Sequence, residues 1–316
     1  MTQAQTDEMA PALVFPGQGS QYVGMGASFA AHPAAKRLFE QADDILHSHL
    51  TKLMLDGDAD TLALTQNTQP ALLLVGVAAL KILEDEKECA VQDIVSFVAG
   101  HSLGEYTALV AAGVLSFPDA ITLVRKRGQA MQTASPSGAG KMAAVLGMSQ
   151  DDVTALAHSA GVYIANDNAE GQVVLSGAAK NIENACLAAK DAGAKRAVEL
   201  PVSAPFHSSL VAPAADEMAA AFKDVTFYAP QIPIVSNVCA TCVHDAAAWP
   251  DLLTKQITAT VRWRESMIYL AQAGVTSLLE MGSGKVLTGL AKRCDARLSG
   301  TALQTVDEIK NQREKR

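Results

Sequence analysis

The stretch "VAGHSLGEYTAL" contains Gly100-His101-Ser102-Leu103-Gly104, which fits the G-x-S-x-G nucleophile elbow. Two glycines permit a sharp turn between a strand and a helix, lifting Ser102 clear of the sheet. The following helix N-terminus offers backbone N–H groups and a positive dipole end to an anion. A serine hydroxyl is a weak nucleophile without a base. Among the seven histidines, His207 in "PVSAPFHSSL" stands apart, because Pro205 and Phe206 suggest a fixed, partly apolar turn. It is either that base or a core histidine satisfied by its neighbours. His101 adjoins the serine and should point away from it, and His158 falls in a predicted helix. His32, His47, His49 and His244 fall at helix ends or in polar loops. No acid between Ser102 and His207 occupies an obvious strand end, so a third triad member is not evident.

A cation sits oddly in "PDAITLVRKRGQAM". At about 100° per residue, Ala120, Val124, Arg127 and Met131 fall within roughly a 60° arc. Arg127 therefore lies in an apolar stripe, while Arg125 and Lys126 point elsewhere. A buried guanidinium is costly unless paired. Its fork suits a carboxylate or phosphate held bidentately, or a structural ion pair with a core acid.

Other glycine loops fail as nucleotide sites. In "FPGQGSQYVGMG" the third glycine of a dinucleotide fingerprint would fall at Tyr22, and no acid ends a second strand some twenty residues on. "GSGKVLTGL" and "SPSGAGKM" both lack the Ser/Thr and the spaced glycine of a Walker A loop. Cys239-x-x-Cys242, with His244 nearby, lacks the second ligand pair of a zinc site. Haem attachment would need a histidine directly after Cys242.

The elements that must position these residues belong to a chain of 316 residues, about two domains' worth. Hydrophobic residues make up 49% and charged residues 18%, which excludes general disorder. The net charge of −8 argues against a nucleic-acid partner. No apolar run reaches the ~18 residues of a membrane span, and the polar start "MTQAQTDEMAP" lacks the regions of a signal peptide. Five scattered cysteines suit reduced thiols. The expectation is a soluble, cytoplasmic protein.

Ala12 to about Thr133 reads as an α/β layer, with "ALVF" and "IVSFVAG" as strands and helices near Pro33 and from "QPALLL" onward. "KMAAVLGM", "SQDDVTALAHSAG", "VYIAN", "QVVLSG", "NIENACLAAKDAGA" and "KRAVELPV" then follow the order β-α-β-β-α-β of a ferredoxin-like unit, with a polar loop "DNAEG" between the middle strands. This predicts a small domain inserted at 137–202, between the two parts of a large α/β domain at 1–136 and 203–316. The α/β pattern resumes through "IPIVSNV" and "VTSLLEMG", and the tail "DEIKNQREKR" reads as frayed.

The blocks "FPGQGSQ", "GHSLGEYTAL", "LVRKRGQAM", "GQVVLSG", "PVSAPFHS" and "GSGKVLTGL", in this order over nearly the whole chain, resemble the malonyl-CoA:acyl carrier protein transacylases of bacterial fatty-acid synthesis. Acyltransferase domains of polyketide synthases share them. The resemblance implies an α/β-hydrolase-like large domain with an inserted ferredoxin-like domain. By motif position it implies Ser102 as nucleophile, His207 as its base, and the Gln256 backbone carbonyl as the group orienting His207 in place of an acid. It further implies that Arg127 holds the malonyl carboxylate and that the Gln18 and Leu103 amides form an oxyanion hole. Substrates would be malonyl-CoA and the phosphopantetheinyl acyl carrier protein, with no cofactor, no metal, no nucleic-acid or membrane partner, and a monomeric protein. The chain departs from the family at Ala259-Thr260, where Asn-Pro is common. Phe206 resembles domains that favour malonyl over methylmalonyl. Rival readings of the same residues are a thioesterase or carboxylesterase, and a silent acyl-CoA or carrier-protein binding module. Lys195, Arg196, Lys285, Lys292 and Arg293 could receive an acidic carrier protein or be ordinary solvated charges.

Overall fold

A computed structural model of the chain describes residues 9–136, 138–202 and 204–312. Its strands are β1 (Ala12–Phe15), β2 (Phe97–Gly100), β3 (Gly140–Leu146), β4 (Tyr163–Ala169), β5 (Gln172–Ala178), β6 (Arg196–Glu199), β7 (Ile234–Val235), β8 (Cys242–Val243), β9 (Ser277–Met281) and β10 (Ser299–Leu303). One sheet runs β10-β9-β1-β2-β7-β8. Its neighbours are parallel except β8, which returns antiparallel to β7. The continuous apolar run Ala12-Leu13-Val14-Phe15 is fully buried at the centre of this sheet, as a strand covered on both faces requires. One face lies against the core of the long helix Thr65–Lys87 and the helix Phe117–Thr133. The other is covered by Trp263–Gln272 and Val286–Cys294. The chain is a mixed α/β protein.

The second sheet is antiparallel throughout, in the order β4-β5-β3-β6. Side chains alternate across a strand, and the alternation divides its faces. Ala143, Val145, Val173 and Leu175 pack under the helices Gln150–Ala160 and Ala179–Asp191, whereas Met142 and Val174 join the main core. Ser149 caps the first of these helices by accepting from Asp152 N.

β4 also ties the smaller sheet to the segment after Gln256. Asp167 N donates to Val261 O at 3.0 Å, and Val261 N donates to Ala165 O at 2.8 Å. Arg264 Nη2 reaches the buried Asp167 carboxylate at 2.8 Å, with Nε 3.0 Å from both of its oxygens.

Three expectations change. Asp167, Asn168 and Ala169 belong to β4 rather than to a loop, because β4 goes on pairing with β5 as far as Ala169–Gln172 across two register shifts, while its other edge bridges to Val261. The turn before β5 is only Glu170-Gly171. The tail is not frayed through Lys310. Val306–Lys310 is a helix closed by a reciprocal Thr305–Glu308 capping box, and Lys310 pairs with Glu86. β10 had no expected counterpart, since "SGTAL" is short and half polar. The expected junction residues Ser137 and Ser203, the start 1–8 and the end 313–316 lie outside the described residues.

Candidate active site

The elbow is built by close backbone approach. A Cβ on Gly104 would stand 2.2 Å from Phe15 O, and one on Gly100 would stand 1.9 Å from the Gly104 carbonyl carbon. Neither position accepts a side chain, so β2 turns directly under the end of β1 into the helix Gly104–Ala111. Ser102 takes φ 52°, a left-handed backbone rare for a residue with a Cβ. The loop after β1 lies across the elbow, placing Gln18 with Leu103 on the wall of a cavity of about 220 Å³. The Ser102 amide is occupied, donating to Asn237 Oδ1 at 2.7 Å.

His207 enters the cavity from another element, a turn in which Ser208 Oγ donates to Pro205 O at 2.6 Å. It too has a left-handed backbone, φ 55°. Its Nε2 lies 2.9 Å from Ser102 Oγ, and its Nδ1 lies 2.8 Å from Gln256 O and 3.1 Å from Ala259 O. Two carbonyls only accept, so Nδ1 carries the proton and Nε2 presents a lone pair to the serine. Burial first, and the Arg127 cation second, push the imidazole down to about 3. His207 is therefore neutral near pH 7.

Arg127 is buried, as its place in the apolar stripe requires. Its Nη1 donates to Gln69 Oε1 at 2.8 Å, and its Nη2 to Gln256 Oε1 at 2.8 Å and to Ser102 Oγ at 3.1 Å. The guanidinium lies 5.7 Å from the Tyr106 ring centroid. Among the described residues no carboxylate lies within ion-pair distance of Arg127, and its Nε has no hydrogen-bond partner. The fork is held by neutral groups against the Ser102 hydroxyl. Ser102, His207, Arg127, Gln256, Gln18 and Leu103 thus come together from five separate stretches of chain. Phe206, Met142 and Val174 supply apolar wall.

Residues 12–289 match the family model described as acyl transferase domain. The chain belongs to this family. It is 46% identical over 304 residues to the malonyl CoA-acyl carrier protein transacylase of Bacillus subtilis (strain 168), covering 94% of each chain. The acyl-carrier-protein-S-malonyltransferase of Bartonella henselae superposes with a TM-score of 0.92 at 45% identity, over 95% of this chain and 97% of the other. A malonyl-transacylase solved in complex with its type II PKS acyl-carrier protein superposes at 0.91, with 41% identity over 95% and 97% of the two chains.

Sequence reasoning missed three polar residues of this acyltransferase site. Gln69 holds one arm of the Arg127 fork. Asn237 bridges the elbow, donating from Nδ2 to Gly100 O at 2.6 Å besides receiving the Ser102 amide. Glu105 is fully buried; its Oε1 accepts from Asn237 N at 2.7 Å and its Oε2 from Gln256 Nε2 at 2.6 Å. Burial raises its carboxyl to about 7, against the lowering effects of Asn237, Gln256 and Arg127. A signal for Glu105 existed, because it is the one charged residue in the otherwise apolar helix "GEYTALVA". Asn237 and Gln69 carried none. His101 does not face the serine and instead meets Asn168 Oδ1 at 2.8 Å.

Proposed function

We propose that the protein transfers the malonyl group from malonyl-CoA to the phosphopantetheine thiol of acyl carrier protein, supplying fatty-acid biosynthesis. The observation that carries this reading is the buried Arg127 fork, 3.1 Å from Ser102 Oγ and held by neutral amides. A buried cation beside a nucleophile favours an acyl group that ends in a carboxylate. The relatives named for malonyl transfer and the complex with an acyl-carrier protein support the same substrates.

In the first half-reaction the Arg127 guanidinium binds the malonyl carboxylate. Ser102 Oγ attacks the thioester carbon while His207 Nε2 takes the hydroxyl proton. The Gln18 and Leu103 amides hold the oxyanion, a role open to Leu103 because the Ser102 amide is already engaged by Asn237. The tetrahedral intermediate expels the CoA thiolate, which takes the proton from His207. The carrier-protein thiol then gives its proton to His207 and attacks the acyl-serine, and Ser102 recovers that proton as it leaves. The Gln256 carbonyl orients His207 throughout.

No cofactor or metal takes part in these steps, and the protein acts as a cytoplasmic monomer. The strand order β4-β5-β3-β6 with two helices on one face supports a ferredoxin-like domain at 137–202. The parallel sheet with the elbow at a strand end supports an α/β-hydrolase-like large domain at 1–136 and 203–316. Exposed Lys195, Arg196, Lys285, Lys292 and Arg293 would receive the acidic carrier protein.

Mass analysis of acyl carrier protein after incubation with malonyl-CoA and the enzyme tests the transfer; release of free malonate with an unmodified carrier would instead indicate a thioesterase. Ser102→Ala should abolish radiolabel transfer from malonyl-CoA onto the protein. Arg127→Ala should lower malonyl transfer roughly 10- to 100-fold more than acetyl transfer, the range of hydrogen bonds to a charged group. Equal loss for both acyl groups would remove the assignment of Arg127.

A further inference from the structure

The Gln256 side chain is fixed at every polar atom. Its Nε2 donates to Glu105 Oε2 at 2.6 Å and to Ser102 O at 2.8 Å, and its Oε1 accepts from Arg127 Nη2 at 2.8 Å. An amide has one donor end and one acceptor end, and a half-turn about its last bond exchanges them. The direction it takes here depends on what it meets. Both Glu105 oxygens face N–H donors, and above about pH 7 the carboxyl is ionised and only accepts, so it draws the NH₂ end of Gln256 to itself and the oxygen is left for Arg127. The other Glu105 oxygen takes Asn237 N at 2.7 Å, and Asn237 secures both sides of the elbow through Ser102 N and Gly100 O. Glu105, Asn237, Gln256 and Arg127 are all nine-tenths or more buried, so water offers no substitute partner.

We propose that Glu105 is a positioning residue for acyl transfer: its carboxylate sets the direction of the Gln256 amide, and that direction holds the Arg127 fork toward the acyl pocket. Glu105 lies outside ion-pair distance of Arg127 and acts on it through the amide. This proposal rests on the malonyl-transfer reading.

A glutamine at 105 would replace one acceptor oxygen by a donor. Turned either way, that donor faces Asn237 N–H or the Gln256 NH₂, both donors themselves. Turning Gln256 over would relieve the conflict, but would set its NH₂ against Arg127, donor against donor. An aspartate keeps two acceptor oxygens, so the conflict does not arise even though its reach is shorter. Space-filling alone makes the opposite prediction, since aspartate leaves the larger gap.

The test measures malonyl and acetyl transfer to acyl carrier protein, as kcat/KM, for the parent, Glu105→Gln, Glu105→Asp and Arg127→Ala. Glu105→Gln should lower the malonyl-to-acetyl ratio about tenfold or more, the effect of a disturbed hydrogen bond to a charged group. Glu105→Asp should keep the ratio within about threefold of the parent while lowering both rates, the fold-change left when that hydrogen-bond pattern survives. An unchanged ratio in folded Glu105→Gln, or an equal fall in Glu105→Asp, would overturn the proposal. Should Glu105→Gln not fold, Glu105→Ala takes its place, because it also frees Gln256 to turn. Failure of both to fold would assign Glu105 to stability alone and overturn the proposal as well. A parent that transfers no malonyl, or an Arg127→Ala ratio equal to the parent's, would defeat the malonyl-transfer reading instead, whatever Glu105 does.

Discussion

His207 has its Nδ1 proton spent on two carbonyls and its Nε2 lone pair aimed at Ser102, so in the proposed mechanism its charge state governs when the serine can be activated. The imidazole is held at about 3, below its ordinary 6.5, chiefly by burial and next by Arg127. The kcat/KM for acetyl-CoA, which reports the free enzyme and makes no call on the Arg127 fork that Glu105 positions, should therefore show no loss of activity on acidification through pH 6.5. An acidic limb centred on 6.5 would contradict this. The same shift has a stability consequence. A histidine whose folded pKa is depressed stabilises the fold above its unfolded value and withdraws that stability as pH falls toward the folded one. Glu105, raised from 4.5 to about 7, has the opposite sign, and its contribution fades as pH rises through that window. In urea unfolding between pH 6.5 and 4, the parent should lose stability relative to His207→Gln as pH falls. Parallel curves would refute the burial of a neutral imidazole.

The strand-turn-helix unit depends on two positions that exclude a side chain. Gly104→Ala would drive a methyl group into Phe15 O, at the edge of the central strand. Overpacking of this kind costs about 1–3 kcal/mol and sometimes more. It should appear as a lowered urea midpoint together with a loss of covalent labelling at Ser102, since the same backbone shift moves the serine. A variant of parent stability and full labelling would show that the elbow tolerates a wider turn than its contacts imply. Alternation matters as much in the smaller sheet. One face of β3 and β5 packs under two helices while Met142 and Val174 face the cavity, so one sheet serves both a separate core and the cavity wall.

Across the molecule, the smaller sheet is tied to the segment that leads on from Gln256. Val261 pairs with β4, and Arg264 closes on Asp167. Burial outweighs the arginine in raising the Asp167 carboxyl, so that carboxyl depends heavily on its partner. Arg264→Ala should cost about 1.5–3 kcal/mol, the range of a hydrogen bond to a charged group. It should also lower transfer, because the bridge at Val261 lies five residues after Gln256, whose carbonyl meets His207. Thermal unfolding read alongside kcat separates the two effects, and loss of neither would dismiss the junction as incidental. Lys195 and Arg293 line one exposed groove beside this junction. Lys195→Glu and Arg293→Glu should each raise the KM for acyl carrier protein several-fold at low salt, with the difference shrinking as ionic strength rises. A KM that ignores both would move the docking surface elsewhere.

What the sequence determined was local. The elbow and the β-α-β-β-α-β order follow from turn chemistry and side-chain periodicity, which act over a few residues. Arg127 stood out because a cation in an apolar stripe is improbable without a purpose, although the stripe could not say what its fork would touch. The tail was misjudged because its capping box is worth little without the helix and acid it packs against. The convergence belonged to the tertiary structure. Ser102 meets His207 across 105 residues, Asn237 across 135 and Gln256 across 154. No local pattern encodes such pairs, because hydrogen-bond partners are selected by which buried groups the packed sheets leave in need of one. Glu105 belongs to both accounts: the sequence marked it as a lone acid in an apolar helix, and only the fold supplied the amides that give its charge a direction.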